Sequence, residues 1–271
     1  MVWYFAATTL VFALLAIYLS LRGEKKAKGK SDEVRENHIH VIVHELRAPL
    51  TAIKGAASLL LSANLSEADK QKMLHAISDS AREMLVRISE LLDSAKLEEG
   101  KFTIKKVKSD LSVILREHVD VFSYVALERG IDLNFNPTSV ITQFYFDPGR
   151  IGQVINNLIS NSLKFTNEGG RVDIKTALRA GPSGQEQDRE IEVEVSDNGT
   201  GIPEDKKALL FTKFGQIDHD GKRAGKVVDP GESSGLGLFI CRQIIEAHGG
   251  KIWIESEEGK GTKVFFTLPL I

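Results

Sequence analysis

The spacing of apolar residues takes three characters in turn along the chain. From Val2 to Leu21 no side chain is charged, and Leu, Ala, Val, Ile and Phe dominate. About 20 such residues are what a helix needs to cross a bilayer, so this stretch predicts a membrane span. A cleaved signal peptide would show a basic start and a shorter apolar core, and neither is present. Next, Ile39, Ile42, Leu46, Pro49, Ile53, Ala56 and Leu60 recur alternately three and four residues apart. Leu74, Ile77, Ala81, Met84, Ile88, Leu91 and Ala95 repeat that spacing. This is the a/d seam of two helices built to pack on other helices. The intervening SANLSEAD holds turn formers, and Ser66 with Asp69 marks a helix start. A hairpin is therefore expected, and one hairpin buries too little to stand alone, so pairing with a second copy into a four-helix bundle is expected too.

Beyond about residue 100 the pattern becomes α+β. Strand-like alternation appears at 131–135, 171–178, 190–196, 251–256 and 263–268, with helical periods over about 110–129, 148–165 and 236–248. Residues 180–189 read as a hairpin loop. Residues 212–235 are polar, Gly-rich and aperiodic, a length that suits a functional lid better than a simple connection.

Charge refines this picture at one end only. Arg22, Lys25, Lys26, Lys28 and Lys30 come directly after the apolar stretch, which puts that flank on the cytoplasmic side and leaves almost nothing outside. A single-pass anchor in the inner (plasma) membrane is the expectation, with a juxtamembrane linker over 23–33. The formal net charge of −2 gives no reason to expect nucleic-acid binding. Cys241 is the one cysteine, so there is no internal disulfide or thiolate zinc site; on a helix, it reads as a small buried apolar group. His38, His40, His75, His118, His219 and His248 lack metal-ligand spacing and read as ordinary surface or structural residues.

Four groups of residues carry possible chemistry. His44 falls at heptad position f, facing away from the seam, with Glu45 beside it as a proton acceptor and Pro49 breaking the helical ladder one turn on. Asn157, Asn161 and Lys164 share one helix face, and they offer an amide oxygen for Mg²⁺ and a cation for phosphate. Asp197 closes a strand ahead of Gly199 and Gly201, where a carboxylate can accept an adenine amine. Gly235 and Gly237 open a helix whose terminal amides suit an anion. Neither the Walker nor the dinucleotide glycine spacing is present.

Taken in order, His44-Glu45-Leu46-Arg47-Ala48-Pro49-Leu50, Asn157–Lys164, Asp197–Gly201, Phe211-Thr212-Lys213-Phe214 and Gly235–Gly237 resemble the H, N, G1, F and G2 boxes of the histidine kinases. GKGTKVFFTLPL (259–270) is similar to that family's closing strand. The resemblance covers about residues 34–271. It implies a dimerisation and phosphotransfer hairpin over 34–99 and, over 100–271, an α/β sandwich ATP-binding (Bergerat) domain shared with gyrase-type and chaperone ATPases. It also implies that ATP phosphorylates His44 with Glu45 assisting as base, and that the phosphoryl group then passes to a response regulator's aspartate. Asn161 would hold Mg²⁺, with Asn157 and Lys164 near the phosphates. Asp197 would take the adenine amine, Gly199 and Gly201 would shape its pocket, Thr262 would lie beneath it, and Phe165 would wall it. Phe211 and Phe214 would anchor the lid, and Gly235 and Gly237 would face the phosphates. Ala48 stands where the family often has Thr or Asn, thought to position water, so weak phosphatase activity is expected. Two other readings remain: a dimeric ATP-binding regulator without catalysis, and a gyrase- or chaperone-type ATPase, which would have no use for the HELRAPL hairpin.

Overall fold

The computed structural model describes the backbone of residues 31–62, 65–137, 143–181, 189–213, 215, 222–223, 226–227 and 235–270, with side chains from Leu46 onward except at 222–223 and 226–227. The expected membrane span lies outside the described residues; among those described, no helix is long and apolar enough to cross a membrane. The chain divides into two compact units, Met1–Val41 and Ile42–Ile271. The second holds every described strand and every described helix except the start of the first.

Two 32-residue helices come first, α1 (Ser31–Ser62) and α2 (Glu67–Glu98). Ser66 caps α2 as its position foretells: its hydroxyl accepts the Asp69 N–H at 3.1 Å. Pro49 sits inside α1, where it removes one ladder hydrogen bond. On α2 the seam positions Ile77, Ala81, Met84, Ile88 and Leu91 are half-buried, while Glu83, Leu85 and Val86 around them are exposed. A second stripe on the same helix is polar and yet buried: Glu90, Asp93 and Ser94. Charged groups leave water only where something pairs them, and here the covering surface belongs to the next domain.

That domain begins with β1 (Val107–Ser109), which pairs antiparallel with β3 (Phe144–Phe146). Helix α3 (Leu111–Glu128) starts on the Asp110 cap and leads into β2 (Asp132–Pro137). Helix α4 (Pro148–Phe165) starts on Asp147, with Pro148 in the first turn where a missing N–H costs nothing. Then come β4 (Arg171–Ala180), β5 (Arg189–Asp197), a 3₁₀ turn at Glu204–Leu209, a small ribbon of β6 (Lys222–Arg223) and β7 (Lys226–Val227), and helix α5 (Gly237–His248). Strands β8 (Ile252–Glu257) and β9 (Gly261–Pro269) finish the chain. The main sheet runs β2-β4-β5-β9-β8, with β2 parallel to β4 and every other pair antiparallel.

Alternation along the strands turns Val172 and Ile174, Ile191, Val193 and Val195, and Val264, Phe266 and Leu268 to one face. Against that face lie Leu111, Leu115 and Val119 of α3, Ile151, Ile155 and Ile159 of α4, and Ile240 and Ile244 of α5. Cys241 is part of this core at 1% exposure, and burial pushes its thiol far above the ordinary range. The expected helices and long strands are therefore present to within a few residues at each end. Strands β1 and β3 were not foreseen, because three residues are too few to reveal a period. The loop expected at 180–189 falls largely outside the described residues.

The polar stripe of α2 docks on α4 and α5. Arg150 Nη1 and Gln153 Nε2 of α4 both donate to Asp93 Oδ2, the second at 3.1 Å. The Arg150 guanidinium also lies 4.8 Å from the Phe102 ring centre. At the end of α2, Lys213 donates to Glu98. His248 joins the ends of two helices: its Nε2 accepts the Asp147 N–H at 3.0 Å and its Nδ1 donates to Ile244 O at 2.8 Å. Burial, aided by nearby Lys106, holds this imidazole below its usual pKa, against the opposing pull of the Ile244 carbonyl and Asp147.

A lowered histidine pKa means that the unfolded chain binds the proton more readily. The stabilising effect of neutral His248 is therefore complete above about pH 6.5 and is lost as pH falls below it, through the folded-state value. Denaturant midpoints measured between pH 5 and 8 should fall on the acid side, and His248→Gln should flatten that slope.

Candidate functional site

The cleft is built around α4, because burial of Ile151, Ile155, Leu158 and Ile159 fixes which way the helix turns. With that face in the core, Asn157 and Asn161 come up one turn apart on the other side, and Asn161 Nδ2 donates to Asn157 Oδ1 at 3.0 Å. The bond engages the amide nitrogen of Asn161, which leaves its carbonyl oxygen as the group able to ligate a cation. Gly237, at the first turn of α5, faces this pair. A methyl group there would run into the Asn157 amide, which would have to swing away from its present place beside Asn161.

Asp197 sits at the end of β5, opposite Thr262 of β9. Its Oδ1 accepts the Gly199 N–H at 3.0 Å and the Thr262 N–H at 3.2 Å. Burial pushes the carboxyl above its usual range, against the pull of hydrogen bonds from Gly199, Ser162 and Thr262. Gly201 comes next in the turn with φ +66°, and a Cβ there would strike the Glu257 carbonyl. Its backbone is thereby able to form one wall of the cleft.

Eight of the expected residues line a single cleft enclosing about 980 Å³ of non-protein space, including solvent at its mouth: Asn157, Asn161, Phe165, Asp197, Gly201, Gly235, Gly237 and Thr262. Three described residues do not reach its wall. Gly199 contributes its N–H to Asp197 instead. Lys164 keeps the helix face of Asn157 but lies two turns further along, its ammonium 5.8 Å from the Phe165 ring centre. At the base of the expected lid the wall is Leu210 rather than Phe211. Phe214 lies outside the described residues, as do the side chains of His44 and Glu45, whose backbone is helical within α1.

Sequence reasoning missed Ser162, Ile202, Ile254 and Val264, which complete the apolar end of the cleft around Asp197. Strand alternation held a signal for two of them, since Ile254 and Val264 are cross-strand partners on the inward face. It also missed Arg87 and Glu90, which reach the cleft from α2. No local pattern marks them, because their position depends on how α2 docks. Among the described residues no cluster of three or more His, Cys, Asp or Glu could hold a metal by itself.

A cleft with an apolar end carrying one buried carboxylate, and a polar end carrying two amides and a helix N-terminus, can hold a flat heterocycle joined to phosphates. Were Asp197 the acceptor for an adenine amine, as the resemblance implies, Asp197→Asn would turn an N–H toward that amine. It should weaken adenine nucleotide binding by at least about tenfold, roughly one charge-assisted hydrogen bond, while the unfolding temperature stays within a few degrees; fluorescence titration and thermal melts test both halves. Because its pKa is raised, nucleotide affinity of the unmodified protein should begin to fall at a higher pH than an exposed aspartate would allow.

Residues 34–100 match the family described as the His Kinase A (phospho-acceptor) domain, and residues 146–271 match the histidine kinase-, DNA gyrase B- and HSP90-like ATPases. The chain is 32% identical over 251 residues to the virulence sensor protein BvgS of Bordetella bronchiseptica, covering 92% of this chain and 20% of that protein. It is 31% identical over 253 residues to the adaptive-response sensory kinase SasA of Prochlorococcus marinus, covering 93% of this chain and 61% of the other. Among solved structures, full-length ShkA in complex with AMPPNP aligns with a TM-score of 0.59 and 25% identity, over 86% of this chain and 45% of ShkA. The chain thus spans a fifth to about three-fifths of the curated relatives it matches.

Proposed function

The chain belongs to the histidine kinase family, and on that footing we propose that it is a sensor kinase that phosphorylates its own His44 from ATP and passes the phosphoryl group to an aspartate of a response regulator. The observation that carries this reading is the pairing of a phosphoacceptor-type hairpin with a cleft whose two ends suit adenine and phosphates. In the cleft, Asp197 accepts the exocyclic amine of adenine, and Phe165, Ile254 and Val264 enclose the base. At the other end lie Asn157, Asn161 and the amides at the start of α5.

Mg²⁺ is part of this proposal. One free amide oxygen, with no carboxylate cage among the described residues, fits an ion that takes its remaining ligands from phosphate and water. Asn161 would hold it, and the ion would neutralise phosphate charge. In the first step a lone pair on a His44 ring nitrogen attacks the γ-phosphorus. The bond from phosphorus to the β–γ bridging oxygen breaks, ADP leaves with that electron pair, and Glu45 takes the imidazole proton. Such loose phosphoryl transfer needs charge neutralisation and alignment more than covalent assistance. In the second step a carboxylate oxygen of the response regulator attacks the same phosphorus and the N–P bond breaks.

Two further parts of the proposal rest on the hairpin and the N-terminus. Leu61, Leu74, Leu85 and Leu92 stand exposed on the single hairpin, which supports its pairing with a second copy into a four-helix bundle. The uncharged run from Val2 to Leu21 with its basic flank supports a single-pass anchor in the inner membrane, with the catalytic part in the cytoplasm.

Incubation with γ-labelled ATP and Mg²⁺ should label the full chain with an acid-labile, base-stable phosphate that disappears in His44→Gln. Nucleotide binding without any label would instead favour the non-catalytic regulator. Ala48 is exposed on α1 and has no group to orient water. A phosphorylated response regulator should therefore lose its phosphate at nearly the same rate with or without this protein, and Ala48→Thr should speed that loss.

A further inference from the structure

Three strands bring a row of polar side chains to the apolar end of the cleft. Asp197 of β5 is the cross-strand partner of Thr262 on β9, and Thr262 is in turn the partner of Ser256 on β8. Partners in a sheet point to one face, and this is the face on which Ile254 and Val264 line the cleft. Asp197 and Thr262 belong to the cleft wall. Ser256 does not; it stands two strand spacings, about 10 Å, from Asp197.

The hydroxyl protons along this row can be assigned in turn. Ser256 Oγ lies 2.8 Å from Gly261 O and 2.9 Å from Thr262 Oγ1. A carbonyl only accepts, and a serine hydroxyl has one proton to give. That proton goes to Gly261, so the proton shared between the two hydroxyls is the one on Thr262. With it directed to Ser256, Thr262 Oγ1 can only accept from a ligand. The N–H groups of Gly199 and Thr262 donate to Asp197, and the Ser162 hydroxyl, beside them in the cleft wall, does the same. Asp197 and Thr262 therefore meet a ligand with lone pairs alone.

We propose that Ser256 is a positioning residue for base selection: by taking the Thr262 proton it fixes Thr262 as an acceptor, so that the cleft admits a base with an exocyclic amine and rejects one with a keto oxygen in its place. This rests on the reading of the cleft as an ATP site and adds to it a residue off the cleft wall. An amino group has two protons, one for each acceptor, given directly or through a water. A keto oxygen has none, and its lone pairs would be left facing those of Asp197 and Thr262.

The test is equilibrium binding of ATP–Mg²⁺ and inosine triphosphate–Mg²⁺, whose bases differ by that change from amine to keto, to the full chain in detergent. Strand β8 is the edge of the sheet and Ser256 is half-buried, so Ser256→Ala removes no core packing. It releases the Thr262 hydroxyl to turn and donate, and the preference for ATP should fall about fivefold, roughly one neutral hydrogen bond, mainly through tighter binding of the inosine nucleotide. Ser256→Thr keeps the hydroxyl and should retain the preference. Thr262→Val should lower the preference by itself, and adding Ser256→Ala to it should change the ratio no further. Equal weakening of both nucleotides in Ser256→Ala would show that Ser256 only supports the strand and would overturn the proposal. An undiminished preference in Thr262→Val would overturn it too, whether or not Ser256→Ala folds. An unmodified protein that prefers ATP, alongside an unchanged ratio in Ser256→Ala, would overturn the serine assignment alone. An unmodified protein that binds no ATP would overturn the cleft reading and this inference together.

Discussion

Everything in the catalytic half depends on the rotational setting of α4. Its buried stripe of Ile151, Val154, Ile155, Leu158 and Ile159 is wholly or almost wholly withdrawn from solvent between the sheet and the neighbouring helices. Each such side chain contributes on the order of 1.5–3 kcal/mol by leaving water, so a rotation that exposed the stripe would cost about as much as a whole domain's stability. With that face fixed, the polar face has no freedom either, and Asn157 and Asn161 can point only into the cleft. The Asp147 cap and the His248 ring set where the helix begins; the core sets its rotation.

The same helix also joins the two halves of the described unit. Arg150 and Gln153, near its start, hold the carboxylate of Asp93 on α2, while Asn157 and Asn161, a turn or two later, face the cleft. A shift of α2 is thus felt at the cleft through a rigid element of about two turns, without any chain of soft contacts. Buried charge pairs of this kind add little net stability but penalise misalignment heavily, because an unpaired charge would be left behind. They suit a joint whose position matters more than its strength.

The regular elements were legible because their periods run long enough to repeat. Eighteen residues of α4 gave its limits to the residue, and the five strands of the main sheet lie within a few residues of where sequence alternation placed them. The Asp197 turn and the α5 start were legible as well: Gly201 marks a place where backbone must come close, and Gly237 one where a side chain would crowd the Asn157 amide. Periodicity reveals the face or neighbourhood of a residue but not its depth along the cleft, so it could not tell that Lys164 and Phe211 stand off the cleft wall. Arg87 and Glu90 could not be found at all from local pattern. Their place is a property of docking between segments distant in sequence, and only the buried polar stripe beside a complete apolar seam hints that α2 has a second partner.

Cys241, sealed in the core between α5 and its neighbours, leaves the described surface without a reactive thiol. Maleimide reagents need a thiolate that solvent can reach, and this one is both shielded and held protonated. The folded protein is therefore already a blank background for site-directed labelling. A single cysteine introduced on exposed α2 and another on α3 would carry a dye pair or spin pair with no native position to remove first, and the distance between them would report directly whether the hairpin and the catalytic half part during turnover.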